Sequence, residues 1–185
     1  MKKVRSRILH FWHSKLVHSA MLKPSLKYLR IEFLPLVCGP HPLWRSCQGS
    51  PSALEAAKIL SGRYRDDYLL SKFNNSSGRC TLGSCTYFPG DVTHYLSGDC
   101  PYLTHQLQST LDHSLKYLSE FPLLIPPTLH ALSQSTEEKV SFILDPYSYG
   151  QVIPIRQKYG AQSVWPLFKL SRSYIWCMHR EGQKC

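Results

Sequence analysis

Four residues between positions 80 and 100 have the types and spacing of a metal site. Cys80, Cys85, His94 and Cys100 follow the pattern C-x4-C-x8-H-x5-C within 21 residues. Three thiolates and one imidazole supply the donors of a closed tetrahedral zinc site, with no position left for a reacting water. The spacing makes structural demands. Gly83 lies between the first two cysteines, where a tight turn must bring both sulfurs onto one ion with bonds of about 2.3 Å. Pro89-Gly90 is a second turn, and Val92 to Leu96 is expected to form a helical turn carrying His94. His94 and Cys100 cannot share a face of one continuous helix, so Gly98-Asp99 must reverse the chain between them. Cys100 precedes Pro101 at the start of a helix, where the macrodipole favours the thiolate. The competing reading is a set of buried thiols and a surface histidine that never meet an ion.

The other chemistry-bearing residues form no comparable set. Cys38, Cys47, Cys177 and Cys185 lack mutual ligand spacing and read as core or terminal thiols, with Cys177 and His179 as a substitute ligand pair. Asp66 and Asp67 are adjacent, so on a helix their carboxylates point to different faces, which argues against a two-metal site. No phosphate-binding glycine loop, nucleophile elbow or zinc-protease helix occurs, and no catalytic residue is expected.

Just before the cysteine segment, Arg63, Arg65, Lys72 and Arg79 alternate with Tyr64, Tyr68 and Phe73. Cations beside exposed aromatics suit RNA or single-stranded DNA, through phosphate contact and base stacking. A solvated helix face over buried aromatics is the alternative. The overall balance agrees with a polyanionic partner: 22 Lys and Arg against 12 Asp and Glu give +10 and a pI near 9.3. Residues 1–39 hold eight of those bases and one acid, Glu32, for +7, so the rest of the chain carries only +3 of the total +10.

These residues need a folded frame, and the composition allows one. Hydrophobic residues make up 43% of the 185 and charged residues 18%, which is the balance of a folding chain. Seven cysteines, an odd number, fit a reducing compartment better than a disulfide framework. No apolar run approaches the roughly 20 residues of a transmembrane helix, and basic residues interrupt any secretory signal. An intracellular location, cytoplasmic or nuclear, is expected, with mitochondrial targeting by residues 1–31 as a minor reading.

Periodicity predicts helices almost throughout. Val4, Ile8, Phe11, Trp12, Leu16 and Ala20 mark a basic amphipathic helix, packed on the protein or laid on nucleic acid or membrane. Prolines and glycines from 34 to 51 make an irregular connection. Ser50-Pro51 then starts a helix reaching about Ser61, and residues 63–73 resume helical character with Tyr64, Tyr68, Leu69 and Phe73 on the apolar side. After the cysteines, Leu103, Leu107, Leu111, Leu115 and Leu118 form a core stripe, which Pro122, Pro126 and Pro127 are expected to close. Ser135 to Glu138 is a capping box for a helix with Val140, Ile143 and Leu144. A helix near 149–158 is expected despite Pro154, and a last one from about 163 to 179 should bury Val164, Leu167, Phe168 and Ile175. No strand ladder is visible. The expected fold is mainly α, a small irregular helical domain with a zinc knuckle. It divides into an arm at 1–40, a helical segment with the knuckle at 41–125, and a C-terminal helical segment at 126–185.

The order of motifs resembles the C-terminal region of LINE-type, non-LTR retrotransposon reverse transcriptases. The similarity is carried by Ser-Leu-Lys-Tyr-Leu (25–29), His-Pro-Leu-Trp (41–44), Ala-Lys-Ile-Leu-Ser-Gly-Arg-Tyr-Arg (57–65) and the knuckle to Pro101. It continues in Phe-Ile-Leu-Asp-Pro (142–146) and in the tail from Leu167 to Arg180, and so spans roughly residues 23–182. Arg65-Asp66-Asp67-Tyr68 lacks the preceding tyrosine of the polymerase motif, so no catalytic residue is carried over. The resemblance implies a non-catalytic zinc-binding segment that helps a polymerase, the element's own, engage RNA or target DNA. Its rivals are a degenerate reading frame without activity and a host-adopted module that binds a protein.

Overall fold

The computed structural model describes residues 64–183, the helix Ser52–Leu60, and the single positions Phe11, Ser14, Lys15, His18 and Leu43. Apart from Leu43, the connection at 34–51, most of the expected 4–20 helix, Arg63, Cys38, Cys47 and Cys185 lie outside the described residues. The described chain is mainly α-helical and contains no strand. Its helices are α1 (Ser52–Leu60), α2 (Asp67–Ser71), α3 (Val92–Ser97), α4 (Pro101–Leu118), α5 (Ile125–Leu132), α6 (Thr136–Leu144), α7 (Ile153–Tyr159) and α8 (Trp165–Gly182). Among the described residues no helix is long and apolar enough to cross a membrane.

The body is built on α4 and α8, which make the most extensive helix contact. Pro101 occupies the first position of α4, where its missing amide costs nothing, and Leu103, Leu107, Leu111 and Leu118 are buried. From α8 come Leu167, Phe168, Leu170, Tyr174, Ile175 and Met178, all buried in the same core. Burying each such side chain is worth about 1.5–3 kcal/mol, so this layer holds the helices together. α1 packs on α8 and α3 on α6, so the segments before and after residue 126 share one core. The Ser135 side chain accepts from the Glu138 amide at 3.4 Å, the capping interaction that starts α6.

Two local expectations change, and α1 turns a carboxylate inward. Pro122 opens a 3-10 turn and Pro126 and Pro127 sit in the first turn of α5; they begin a helix instead of closing one. Leu54 faces solvent while Glu55 is buried, because Glu55 pairs with Lys58 at 2.8 Å and approaches His179 Nδ1 on α8 at 3.3 Å. The helix expected over 63–73 is reduced to α2. Asp66 caps it by accepting from the Leu69 amide at 2.7 Å, so helix begins only at Asp67, and Phe73 lies beyond its end in solvent.

Candidate metal centre

Cys80, Cys85, His94 and Cys100 converge: one donor atom from each lies within 4.8 Å of all the others. Cys80 Sγ and Cys100 Sγ are 3.8 Å apart, and Cys85 Sγ is 3.4 Å from His94 Nε2. Cys80 and Cys100 are buried and Cys85 is half-buried. This Cys3His cluster can hold a metal ion. Cys177 is buried elsewhere, and His179 faces Glu55 and Tyr64, so neither joins it.

The chain reaches this geometry by short, directional steps. The Cys80 amide donates to the Tyr87 carbonyl at 2.8 Å and the Gly90 amide to Gly78 at 3.0 Å, pairing the two sides of the loop. A Cβ on Gly90 would stand 2.5 Å from the Cys80 nitrogen, so only glycine permits that approach. Between the first two cysteines, the Cys85 amide donates to Leu82 at 3.1 Å across a turn in which Gly83 has φ +56°. Asp91 caps α3 and accepts from the His94 amide at 2.9 Å, placing His94 in the first turn as the spacing required. Gly98, at φ 83°, ends α3 in the left-handed conformation and sends the chain back to Cys100.

Two carboxylates tie this loop to the start of α2. Asp66 accepts from the Leu69 amide and, at 3.0 Å, from the Val92 amide, so it caps α2 and α3 together. Asp67 accepts from the Thr81 amide at 2.7 Å, from the Thr81 hydroxyl at 3.0 Å, and from the Tyr95 hydroxyl at 2.8 Å. Thr81 follows Cys80 and Tyr95 follows His94, so one carboxylate positions two ligands. The pair does point in different directions, as adjacency demands, and the divergence serves scaffolding. Lys139 on α6 donates to the Ser97 carbonyl at the C-terminus of α3. Sequence reasoning assigned no role to Asp67, Asp91 or Lys139; an Asp three residues before His94 was the available signal for the cap alone.

Burial dominates the electrostatics. It pushes the Cys80 thiol up to about 12 and raises Cys100 as well. The amides of Leu103 and Tyr102 at the start of α4 pull Cys100 downward, as the helix dipole should, but burial is larger and the net shift is upward. Burial also lowers His94, against the opposing charges of Asp99 and Asp91, which keeps the imidazole in its neutral, ligating form. With Cys80 and Cys100 held protonated by burial, a cation that binds here must displace protons from their sulfurs.

The basic residues divide. Lys72 Nζ stands 4.7 Å over the Tyr68 ring, Arg79 Nη1 donates to the Thr86 carbonyl at 2.9 Å, and both residues are exposed. Arg65 instead lines a cleft of about 420 Å³ with Glu55, Lys58, Asp66, Asp67 and His179. Tyr64 is half-buried, its hydroxyl 3.4 Å from His179, and burial raises its pKa. No protein-family model, curated protein or solved structure matches the chain.

Proposed function

We propose that the chain is a non-catalytic zinc-binding, nucleic-acid-binding segment, akin to the C-terminal region of LINE-type reverse transcriptases. The observation that carries the zinc assignment is the shape of the cluster. With Zn–S bonds of about 2.3 Å and Zn–N bonds of about 2.0–2.1 Å, tetrahedral neighbours stand about 3.8 Å apart for two sulfurs and about 3.6 Å for sulfur and nitrogen. Two of the six ligand pairs stand at 3.8 Å and 3.4 Å, and all six lie within 4.8 Å. Three thiols with one imidazole also select zinc over the oxygen-loving cations. Bound zinc would act as a cross-link between the loop and the first turn of α4, with all four positions filled by protein.

The nucleic-acid part is supported by the net charge of +10 and by the exposed Lys72 and Arg79. The resemblance of the motif order to the retrotransposon proteins supports the same reading and an intracellular setting beside a polymerase. Native mass spectrometry of protein produced with zinc, combined with fluorescence anisotropy on labelled RNA and DNA, tests both parts. One zinc per chain, absent from Cys80→Ser, and binding that weakens steeply with salt are expected. A folded, metal-free protein sinks the zinc assignment, and salt-independent binding or none removes the nucleic-acid reading.

A further inference from the structure

We infer that the exposed face of the knuckle is a site for unpaired bases, with Tyr87 and Phe88 as stacking surfaces and Arg79 and Lys72 as the flanking phosphate contacts. This rests on the nucleic-acid reading and narrows it to single strands. Tyr87 and Phe88 are consecutive, yet their rings settle on different supports. Tyr87 lies flat on His94, with centroids 4.4 Å apart and planes inclined by 12°. Phe88 meets Tyr68 edge-on at 5.8 Å. Tyr87 thus has one face supported, and both rings remain about half exposed, 55% for Tyr87 and 53% for Phe88, while Phe73 is 79% exposed.

Leaving such rings in water forfeits burial, as it does at Leu123, Leu129 and Tyr159 elsewhere in the chain, and their neighbours indicate what covers them. Arg79 is anchored on Thr86, directly before Tyr87, and Lys72 stands over Tyr68, the ring that supports Phe88. Tyr68 thus carries a cation on its face, and a second cation is held at the residue before Tyr87. A polyanion whose flat apolar faces are accessible matches this alternation, and only unpaired nucleotides offer both. In a duplex the base faces are occupied by their own stack, so the rings would contribute nothing. Tyr87 also links the surface to the metal centre, because the imidazole it lies on is a ligand; a fixed His94 fixes the plane on which the base would rest.

Anisotropy at matched salt, with labelled oligo(U), oligo(dT) and a duplex of equal length, tests the inference on the full zinc-loaded chain. Single strands are expected to bind at least about tenfold tighter than the duplex, and Tyr87→Ala with Phe88→Ala to weaken single-strand binding by about 10- to 100-fold. Duplex binding and the salt dependence should be unchanged in that variant, whereas Arg79→Ala with Lys72→Ala should weaken both substrates and flatten the salt dependence. Zinc content checks that the aromatic variant remains folded. The unaltered chain supplies a second readout: photo-crosslinking with 4-thiouridine in oligo(U) should label the peptide containing Tyr87 and Phe88. Equal affinity for single strands and duplex, or crosslinks confined to residues 1–39, overturns the stacking site and leaves the nucleic-acid reading standing. Failure to bind any of the three removes both.

Discussion

The knuckle and the α4–α8 body solve the same problem, holding a chain in one conformation, by opposite means. In the body, apolar side chains at helical spacing bury themselves against one another, and no single contact decides the outcome. In the knuckle, between Arg79 and Asp99, exposed residues are frequent and only short stretches of helix form. There the order depends on named, directional contacts: four converging candidate metal ligands, the Asp66 and Asp91 caps, the Asp67 clamp and the Gly90 approach. Non-directional burial tolerates change in proportion to volume; a coordination site fails when one member is lost.

The strongest way to break the comparison is to remove the metal. Chelation or Cys100→Ser is expected to abolish zinc binding, which in small zinc modules is worth on the order of 10 kcal/mol of folding free energy. Hydrogen exchange should then lose its protection from Asp66 to Cys100 while the helices of the body keep theirs. Collapse of both regions together would show that the body cannot stand without the metal and would erase the distinction.

A smaller effect with the opposite distribution should follow from Phe168→Ala. This ring is buried in α8 between Trp165 and Tyr147, and its loss is expected to cost about 3–5 kcal/mol in chemical denaturation without changing zinc stoichiometry. Loss of zinc in the folded variant would contradict it.

Asp67→Ala lies at the junction. It strands the buried Tyr95 hydroxyl, a cost of about 1–3 kcal/mol, frees the exposed Thr81 amide to water, and by loosening Cys80 and His94 should weaken zinc binding about 10- to 100-fold. Competition against a zinc chelator measures this, and an unchanged affinity would mean the ligands need no carboxylate support.

The smallest effect concerns pH. Burial raises Asp66 to about 6, so between its unfolded value near 3.8 and 6 the folded chain binds the proton more strongly than the unfolded chain. By linkage this carboxylate's contribution is fully present at lower pH and is lost as pH rises through about 6. Zinc has the reverse dependence, since acid protonates its thiolates. Comparing Asp66→Asn with the parent, both zinc-loaded, cancels the metal effect. The variant should gain stability relative to the parent as pH rises from about 5.5 to 7.5, and a pH-independent difference would refute the raised pKa.

Much of this was legible in the residues. The ligand pattern, the turn at Gly83, the helix carrying His94, the reversal at Gly98 and the leucine stripe of α4 depend on neighbours within a turn or two. The Pro126-Pro127 start of α5 was misread because proline marks both ends of helices, and only the surrounding contacts say which. The exposure of Phe73 was missed because helical spacing from Tyr64 was extended past the point where Asp66 and the 74–78 loop confine α2.

By itself, then, the sequence determined that a Cys-Cys-His-Cys set exists, that its spacing can close on one ion and that the flanking chain is helical. These are matters of local periodicity and donor chemistry. Only the tertiary structure decided that Glu55 turns inward to His179, that Asp67 reaches Tyr95 across the knuckle, and that burial outweighs the helix dipole at Cys100. Desolvation and long-range hydrogen bonds depend on what packs over a group, and no local pattern encodes that.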